Sequence, residues 1–440
     1  MSMRPFLLLA SLAVVSPALA ENWGQWRGPA FNGSSPETGL PTEWNAERGT
    51  EEHVRWKTKL PGASGATPAI WGDSVFVSSP DENRNLCLLC LNRKDGKLRW
   101  SKTVMEAANM VNGRANSASP SPVTDGKAVF VAYSSGDVAA FDYAGQELWR
   151  RSLGQEYGKP AFQWLYGSSP LLYEGKLYVQ VLQRTPAPEG YPGIAGAGGE
   201  RESYLLAMDP ATGKTIWKQS RPSEARAESK ESYGTPIPHV APDGKRQILV
   251  VGGDCLTGHD AATGKELWRA YGINRKRGET MRVVASPVSA GGLAIACGPK
   301  KEQLIAVRTD LRGDVSENGI AWTFDEKKTP DVCTPAYADG KLFVLDGDSA
   351  TLTCLDAKTG AKRWQGNLGD RTVIRSSPTV ADGKVYIINE KGTVFICGAG
   401  DEFKLIKSIP MSDPEGTRAS IAISDKQLFI RTTENLYCIE

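Results

Sequence analysis

The sequence CLDAKTGAKRW at residues 354–364 is the clearest indication of the fold. It sets an apolar pair before Asp356, a turn at Thr359-Gly360 and a tryptophan, Trp364, shortly after the turn. Glycine suits a tight hairpin because it adopts positive φ at no steric cost. The tryptophan supplies a large apolar surface for packing on neighbouring structure. The stretch therefore predicts two short strands joined by a hairpin.

The same phrase recurs along most of the chain. Its copies occupy residues 90–100, 140–149, 207–217, 260–268, 306–322, 354–364 and 397–406. The copy at 306–322 is degenerate, and the copy at 397–406 has lost its tryptophan. Repeats of this length, each with several short strands, are typical of β-propeller blades.

A second phrase, Ser-Pro or Thr-Pro at a strand start, precedes each copy. Its members are Thr67-Pro68, Ser119-Pro120, Ser169-Pro170, Thr235-Pro236, Ser286-Pro287, Thr334-Pro335, Ser377-Pro378 and a proline-free Ser420-Ile421. Eight inner strands are thus predicted, but only seven complete units. The stretch 54–57, with Trp56, reads as the outer strand missing from the last unit. The sequence predicts an all-β, eight-bladed propeller with four-stranded antiparallel blades, closed by an N-terminal outer strand.

The first twenty residues have the features of a signal peptide. Arg4 precedes an apolar run over residues 6–15, and Ala18-Leu19-Ala20 forms a small-x-small cleavage site. The run is too short to cross a bilayer as a helix. We expect a signal peptide over 1–20, an extended segment over 21–53 and a single propeller over 54–440. The mature chain is expected to be exported to the periplasm or secreted, without a membrane anchor and as a monomer.

Composition excludes several function classes. Lys plus Arg (52) and Asp plus Glu (50) nearly cancel, which argues against a nucleic-acid surface. The three histidines are far apart in sequence and show no metal-ligand spacing. Four of the eight cysteines (Cys90, Cys354, Cys397 and Cys438) fall where other copies carry alanine, which predicts buried free thiols. A Cys87–Cys90 disulfide is the less favoured alternative, because residues three apart on one strand point to opposite faces.

The repeated Ala-x-Asp-x-x-Thr-Gly-x-x-x-Trp phrase resembles the tryptophan-docking motif of the quinoprotein (PQQ-like) propellers. That family contains PQQ-dependent alcohol dehydrogenases, the barrel-assembly lipoprotein BamB and many exported propellers of unassigned role. The resemblance covers about residues 54–440. The opening residues 23–29 and the closing residues 430–439 are also similar to the unassigned members. The motif is specific for the fold but not for an activity.

The connections between the predicted strands are asymmetric. The turns between strands A and B and between C and D are tight, whereas the connections from D to the next A are long. The largest insertion, residues 184–201, joins B to C and so lies on the same side as the long connections. Long loops on a rigid scaffold are where binding residues concentrate. We therefore expect binding at the mouth of the central channel on this face.

The residues before each inner strand should line that mouth. They are Asn112, Arg114, Asn116, Gln163, Trp164, Tyr166, Glu231, Tyr233, Arg282, Asp331, Arg375 and Arg418. Four arginines converging on one axis would repel one another unless Glu231, Asp331 or a bound anion neutralises their charge. This pattern favours a pocket for an anionic or polyhydroxylated ligand, with the three aromatic residues as stacking faces. The alternative is a set of ordinary polar residues on long surface loops.

Three hypotheses of function remain open at this point. The first is a non-catalytic binding or scaffolding propeller, without a cofactor, that presents its long-loop face to a protein, peptide or glycan. The second is a PQQ-dependent dehydrogenase. By the family resemblance that enzyme would carry a vicinal Cys-Cys disulfide and a calcium site, and this sequence has no Cys-Cys pair. The third is a barrel-assembly factor of the BamB type, for which a lipid-anchoring cysteine after residue 20 is missing.

Overall fold

The computed structural model describes residues 22–106, 116–187, 199–413 and 416–440. Its strands form eight sheets, one for each blade, in which strands A to D pair antiparallel, and the predicted fold is confirmed. Seven sheets have four strands, and blade 4 has a fifth. The expected signal peptide lies outside the described residues.

Strands A to D run from the channel outward in each blade, and blades 1 to 8 are numbered in chain order. The A strands are Ala69–Trp71, Val123–Thr124, Leu171–Tyr173, Ile237–Val240, Val288–Ala290, Ala336–Ala338, Thr379–Ala381 and Ala422–Ser424. The B strands are Ser74–Pro80, Ala128–Ala132, Lys176–Val181, Arg246–Gly252, Leu293–Cys297, Lys341–Asp346, Lys384–Ile388 and Gln427–Arg431. The C strands are Leu86–Asn92, Asp137–Asp142, Tyr204–Met208, Cys255–Asp260, Leu304–Arg308, Thr351–Asp356, Thr393–Gly398 and Asn435–Ile439. The D strands are Leu98–Met105, Glu147–Ser152, Thr215–Ser220, Glu266–Tyr271, Ile320–Phe324, Lys362–Asn367, Leu405–Pro410 and, for blade 8, Val54–Lys59.

Small residues on strand C make room for the tryptophans on strand D. Cys354 lies opposite Trp364 in the ladder, and Ala207 lies opposite Trp217. The indole Nε1 of Trp364 donates 3.0 Å to the carbonyl oxygen of Gly400 in the next blade. The aspartate of the motif stabilises the turn that follows it, because Asp356 Oδ1 accepts hydrogen bonds from the backbone N–H groups of residues 358 and 359.

Blade 4 departs from the expected pattern. Trp268 is fully buried within its own blade, and its Nε1 donates to Gln247 instead of a neighbouring turn. The cause is the degenerate repeat of blade 5, whose C–D connection is not a tight turn but the insertion 309–319. Gly313–Asp314 in this insertion pairs parallel with Trp268 and Arg269 as the fifth strand. The expectation of tight C–D turns in every blade is therefore wrong for blade 5.

The N-terminal strand Val54–Lys59 closes the ring as predicted. It pairs antiparallel with strand C of blade 8, and Trp56 lies opposite Cys438. The Trp56 Nε1 donates 2.7 Å to the carbonyl oxygen of Arg93 in blade 1. Blade 8 therefore combines the strand that precedes blade 1 with the last three strands of the chain, and no gap remains beside blade 1.

Residues 23–35 form a plug across the channel on the side of the A–B turns. Strand A is the innermost strand, so its inner edge has backbone groups without a partner in the sheet. The plug satisfies these groups in several blades: Trp23 and Gly24 accept N–H groups from strands A of blades 1 and 2, and Asn32 and Gly33 accept them from blades 6 and 7.

Arg27 anchors the plug near the axis. It is 1 % exposed, and its guanidinium donates at 3.0 Å to the carbonyl oxygens of Pro335 and Pro378. Burial lowers the pKa of Arg27 to about 9. Gly33 has a φ of +82°, and a Cβ there would lie 1.8 Å from the Arg27 Nη2. Glycine is therefore required at this position by both its backbone and its neighbour.

All eight cysteines are buried free thiols. Cys87 packs in the hydrophobic cluster that contains blade 8, whereas Cys90 packs in the cluster shared with blade 2. The two side chains therefore lie on opposite faces of the strand, as expected. The helices in the described ranges are single turns, namely Leu153–Glu156 and the 3-10 turns Ala227–Lys230 and Pro299–Lys301. None of these has the length and apolar character needed to cross a membrane.

Candidate functional site

A closed ring of eight hydroxyl groups surrounds the channel. Each ring residue donates its backbone N–H to the hydroxyl oxygen of the ring residue in the next blade, at 2.7 to 3.1 Å. The members are Thr67, Ser121, Ser169, Thr235, Ser286, Thr334, Ser377 and Ser420. The ring explains the Ser/Thr-Pro phrase, because one hydroxyl per blade ties each inner strand to its neighbour.

The predicted register of blade 2 is wrong by two residues. The ring member is Ser121, before Pro122, and not Ser119, before Pro120. Two Ser-Pro pairs follow each other here, so the phrase alone is ambiguous. Ser119 instead donates its hydroxyl to the backbone oxygen of Asn116 within the preceding loop.

The channel forms a cup that opens on the face of the long D–A connections. The plug closes the opposite end, and Trp26 from the plug lines the cavity. The cavity volume is about 880 Å³, within the ~300–1,000 Å³ range of small-molecule sites. Seven of the twelve predicted site residues line it: Gln163, Trp164, Tyr233, Arg282, Asp331, Arg375 and Arg418.

The other five residues of the predicted set have different positions. Asn112 and Arg114 lie outside the described residues. Tyr166 does not face the mouth, because it is 2 % exposed and packs against Phe162 at 5.6 Å. Asn116 braces its own loop and donates to the carbonyl oxygen of Ala63.

Glu231 lies behind the wall of the cup and is fully buried. Its carboxylate accepts hydrogen bonds from the Tyr233 hydroxyl, the Gln163 backbone and, at 2.7 Å, the Arg184 Nε. Burial raises the pKa of Glu231 despite these bonds. The Tyr233 hydroxyl also accepts a hydrogen bond from the Trp164 backbone N–H, so it already acts as both a donor and an acceptor. Tyr233 therefore offers mainly its ring to the cup.

The arginines at the mouth are paired with carboxylates. Arg282 forms a bidentate salt bridge with Asp331, with Nη1–Oδ1 at 2.9 Å and Nη2–Oδ2 at 2.8 Å. Burial acts to raise the pKa of Asp331, but the hydrogen bonds and charge of Arg282 outweigh it and lower the pKa. Asp331, one of the three candidates considered from the sequence, thus neutralises Arg282, whereas Glu231 pairs with Arg184.

The other two described arginines of the predicted set form ion pairs with carboxylates that the sequence analysis did not identify. Arg375 Nη1 lies 2.7 Å from Asp348 Oδ1, and Arg418 Nε lies 2.9 Å from Glu390 Oε1. Both carboxylates belong to B–C turns of the preceding blade. The cup therefore carries nearly balanced charge, and a strongly anionic ligand would have to displace a carboxylate from each arginine.

Sequence reasoning also missed Trp26, the ring hydroxyls and Glu228. Glu228 lines the cavity and lies 3.8 Å from the Arg282 Nε. The Ser/Thr-Pro phrase was visible in the sequence, but nothing in it shows that the hydroxyl faces the axis. Trp26 precedes the first repeat, so no register could place it.

The fold and the cup define the class of protein as an eight-bladed propeller of PQQ-like repeats. The family model described as outer membrane protein assembly factor BamB matches residues 36–179, 197–315 and 311–399. These ranges cover most of the chain, which therefore belongs to that family.

Individual relatives are distant. A polyvinylalcohol dehydrogenase of Sphingopyxis sp. (strain 113P3) is 24 % identical over an alignment of 366 residues that covers 76 % of this chain and 49 % of that protein. The chain thus spans about half the length of this curated relative. BamB from Moraxella catarrhalis superposes with a TM-score of 0.58 at 13 % identity, over 87 % of this chain and 96 % of that one. Quinohemoprotein alcohol dehydrogenase from Comamonas testosteroni superposes with a TM-score of 0.62 at 11 % identity, over 95 % of this chain and 80 % of that one. Likeness at this level shows the fold alone.

The cup does not fit PQQ with calcium. Among the described residues, no group of three or more His, Cys, Asp or Glu side chains is arranged to hold a metal ion. The carboxylates that pair with Arg282, Arg375 and Arg418 are already engaged, and PQQ, which itself bears carboxylates, would need these same arginines. The eight thiols are all buried. The described residues therefore form no calcium cluster, and the three arginines of the cup are already paired, which leaves Lys300 as the cavity-lining cation outside these pairs.

Proposed function

We propose that this chain is an exported, non-catalytic binding propeller that receives a protein, peptide or glycan partner at the cup. The observation that carries the proposal is the one-sided channel. The plug fills the A–B side, whereas the D–A side opens into a cavity of about 880 Å³. In the part of the chain that the structure describes, the axis is open on one face, which is the face that carries the long connections.

The chemistry of the lining supports binding over catalysis. Tyr233 is no candidate base, because burial and the adjacent Glu231 raise its pKa well above the ordinary value. Its hydroxyl is also held by Glu231 and the Trp164 backbone. Asp331 is held in a bidentate salt bridge with Arg282. Preformed, paired polar groups of this kind orient a ligand, and neither Tyr233 nor Asp331 is poised to act as a base.

Filling the cup should abolish partner binding. Gly167 lines the cavity, its φ is ordinary, and an added Cβ would lie 3.9 Å from Tyr233, so Gly167→Trp is expected to project into the space without backbone strain. The immobilised mature chain would be exposed to the exported fraction of the source cells and the bound molecules quantified. The partner should bind to the wild type and be lost with Gly167→Trp.

Gly400→Trp is the matched control. Gly400 is exposed on the C–D turn of blade 7, and no atom lies within 4 Å of a Cβ built there. This variant adds the same indole on the opposite face. Equal binding to the wild type and both variants would contradict a binding role for the cup.

Adding PQQ with Ca²⁺ should leave thermal unfolding of the mature chain unchanged, because the cup lacks the calcium ligands and its arginines are already paired. A ligand at about 100 times its dissociation constant adds roughly 2.7 kcal/mol of stability. Differential scanning calorimetry resolves such a rise easily. An increase of that size would make the cup a cofactor site and favour the dehydrogenase.

A further inference from the structure

We propose that the ligand of the cup is a neutral oligosaccharide, an inference that rests on the proposed function and names its ligand class. Three features of the cavity point to this chemistry: unused hydroxyl donors at its floor, aromatic faces on the floor and one wall, and ion-paired charges on the other wall.

The ring hydroxyls have hydrogen atoms left to donate. Each oxygen accepts one backbone N–H, and no described acceptor takes the hydroxyl hydrogen of any ring member. A hydroxyl group can donate one bond and accept two. Seven of the eight line the cavity, and all are at most 5 % exposed. A buried donor without an acceptor is costly, so the floor favours a ligand that presents many oxygen atoms.

Aromatic rings cover the floor and one wall. Trp26 enters from the plug, next to Arg27, which bonds the carbonyl oxygens directly after ring members Thr334 and Ser377. Trp164 and Tyr233 line the cavity on the side of blades 3 and 4. The C–H face of a sugar ring is apolar while its edge is polar, and aromatic side chains offer a matching flat apolar surface.

The opposite wall carries three ion pairs. Arg282–Asp331, Arg375–Asp348 and Arg418–Glu390 are preformed and hold both donors and acceptors in place. Paired groups of this kind can exchange hydrogen bonds with sugar hydroxyls, which both donate and accept. A phosphate, sulfate or uronate would instead meet the carboxylates of the pairs at close range. The charge balance thus favours a neutral ligand over the anionic one that the arginines alone suggested.

The test is calorimetric titration of the full mature chain with a panel of trisaccharides. The neutral members are maltotriose, cellotriose and tri-N-acetylchitotriose, and the charged member is trigalacturonate. At least one neutral trisaccharide should bind, change the tryptophan fluorescence and be insensitive to added salt, because no net charge is exchanged. Trp164→Ala should weaken this binding by about tenfold or more. Gly167→Trp should abolish it, and Gly400→Trp should leave it intact.

Two results would overturn the inference. One is the absence of any heat or fluorescence change with all three neutral sugars at millimolar concentration. The other is binding of trigalacturonate alone, weakened by salt, which would make the cup an anion site. If partner capture still depends on residue 167 in either case, only the ligand class is wrong. If capture is also equal for wild type and Gly167→Trp, the proposed function itself fails.

Discussion

The free energy of unfolding should fall steeply as the pH drops from about 6.5 to about 4, because two histidines of blade 4 are buried in the neutral form. His239 is 2 % exposed and His259 is fully buried. Burial lowers the pKa of each from 6.5 to about 4. The two ring nitrogens of His239 lie 2.8 Å from the hydroxyl oxygens of Ser289 and Thr309. The Nε2 of His259 lies 3.0 Å from the hydroxyl oxygen of Thr257.

The sign follows from proton linkage. Between pH 6.5 and 4 the unfolded chain binds protons at these sites and the folded chain does not, so acid favours unfolding. The stability is fully present above pH 6.5 and is lost as the pH falls towards 4. A change from 6.5 to about 4 corresponds to about 3 kcal/mol at each histidine. Guanidinium unfolding at a series of pH values measures the slope.

His239→Gln and His259→Gln should each reduce the loss in the free energy of unfolding between pH 6.5 and 4 by about 3 kcal/mol, although each variant loses some stability at neutral pH. His53→Gln is the matched control, since His53 is exposed. If both buried variants keep the wild-type slope, other groups cause the acid sensitivity and the two histidines are not neutral in the folded chain.

The blade count and the ring closure could be predicted because they follow from local rules repeated many times. Each copy carries its own turn glycine and its own tryptophan opposite a small residue, so one misread copy, as in blade 5, does not change the count. Trp56 could be assigned because blade 8 needed an outer strand. The C–D insertion 309–319 escaped prediction because its pairing partner, strand D of blade 4, is encoded elsewhere in the sequence.

The site could be predicted only in part, because its geometry depends on pairs between blades. The D–A connections have no periodicity, so sequence could place Arg375 and Arg418 near the mouth but not Tyr166 behind it. Their partners, Asp348 and Glu390, lie in B–C turns of the preceding blades. The plug precedes the repeats and follows no register, so neither Arg27 nor Trp26 could be placed by repetition.

Trp56→Ala should lower the free energy of unfolding by about 3–5 kcal/mol, the usual cost of deleting a buried tryptophan side chain. Trp56 is 7 % exposed, and its ring lies 6.0 Å from that of Phe429. It also covers Gly96, where an added Cβ would lie 2.6 Å from the indole. The variant loses these contacts and the hydrogen bond to the Arg93 carbonyl oxygen. Guanidinium unfolding with an unchanged m value would measure the loss.

Trp149→Ala provides the matched comparison, because Trp149 makes the same 2.7 Å bond to the next blade, at Pro210, and packs on Phe130 at 6.1 Å. Trp149 joins blades that are consecutive in the chain, whereas Trp56 sits on the strand that closes the ring. An outer strand is paired on one side only, so losing Trp56 should also release Val54–Lys59 by local unfolding. Amide hydrogen exchange over residues 54–59 and 435–439 should accelerate in Trp56→Ala alone. Equal exchange in the two variants would mean that the closing strand is held by its ladder with blade 8 and that Trp56 contributes no more to closure than any other blade tryptophan.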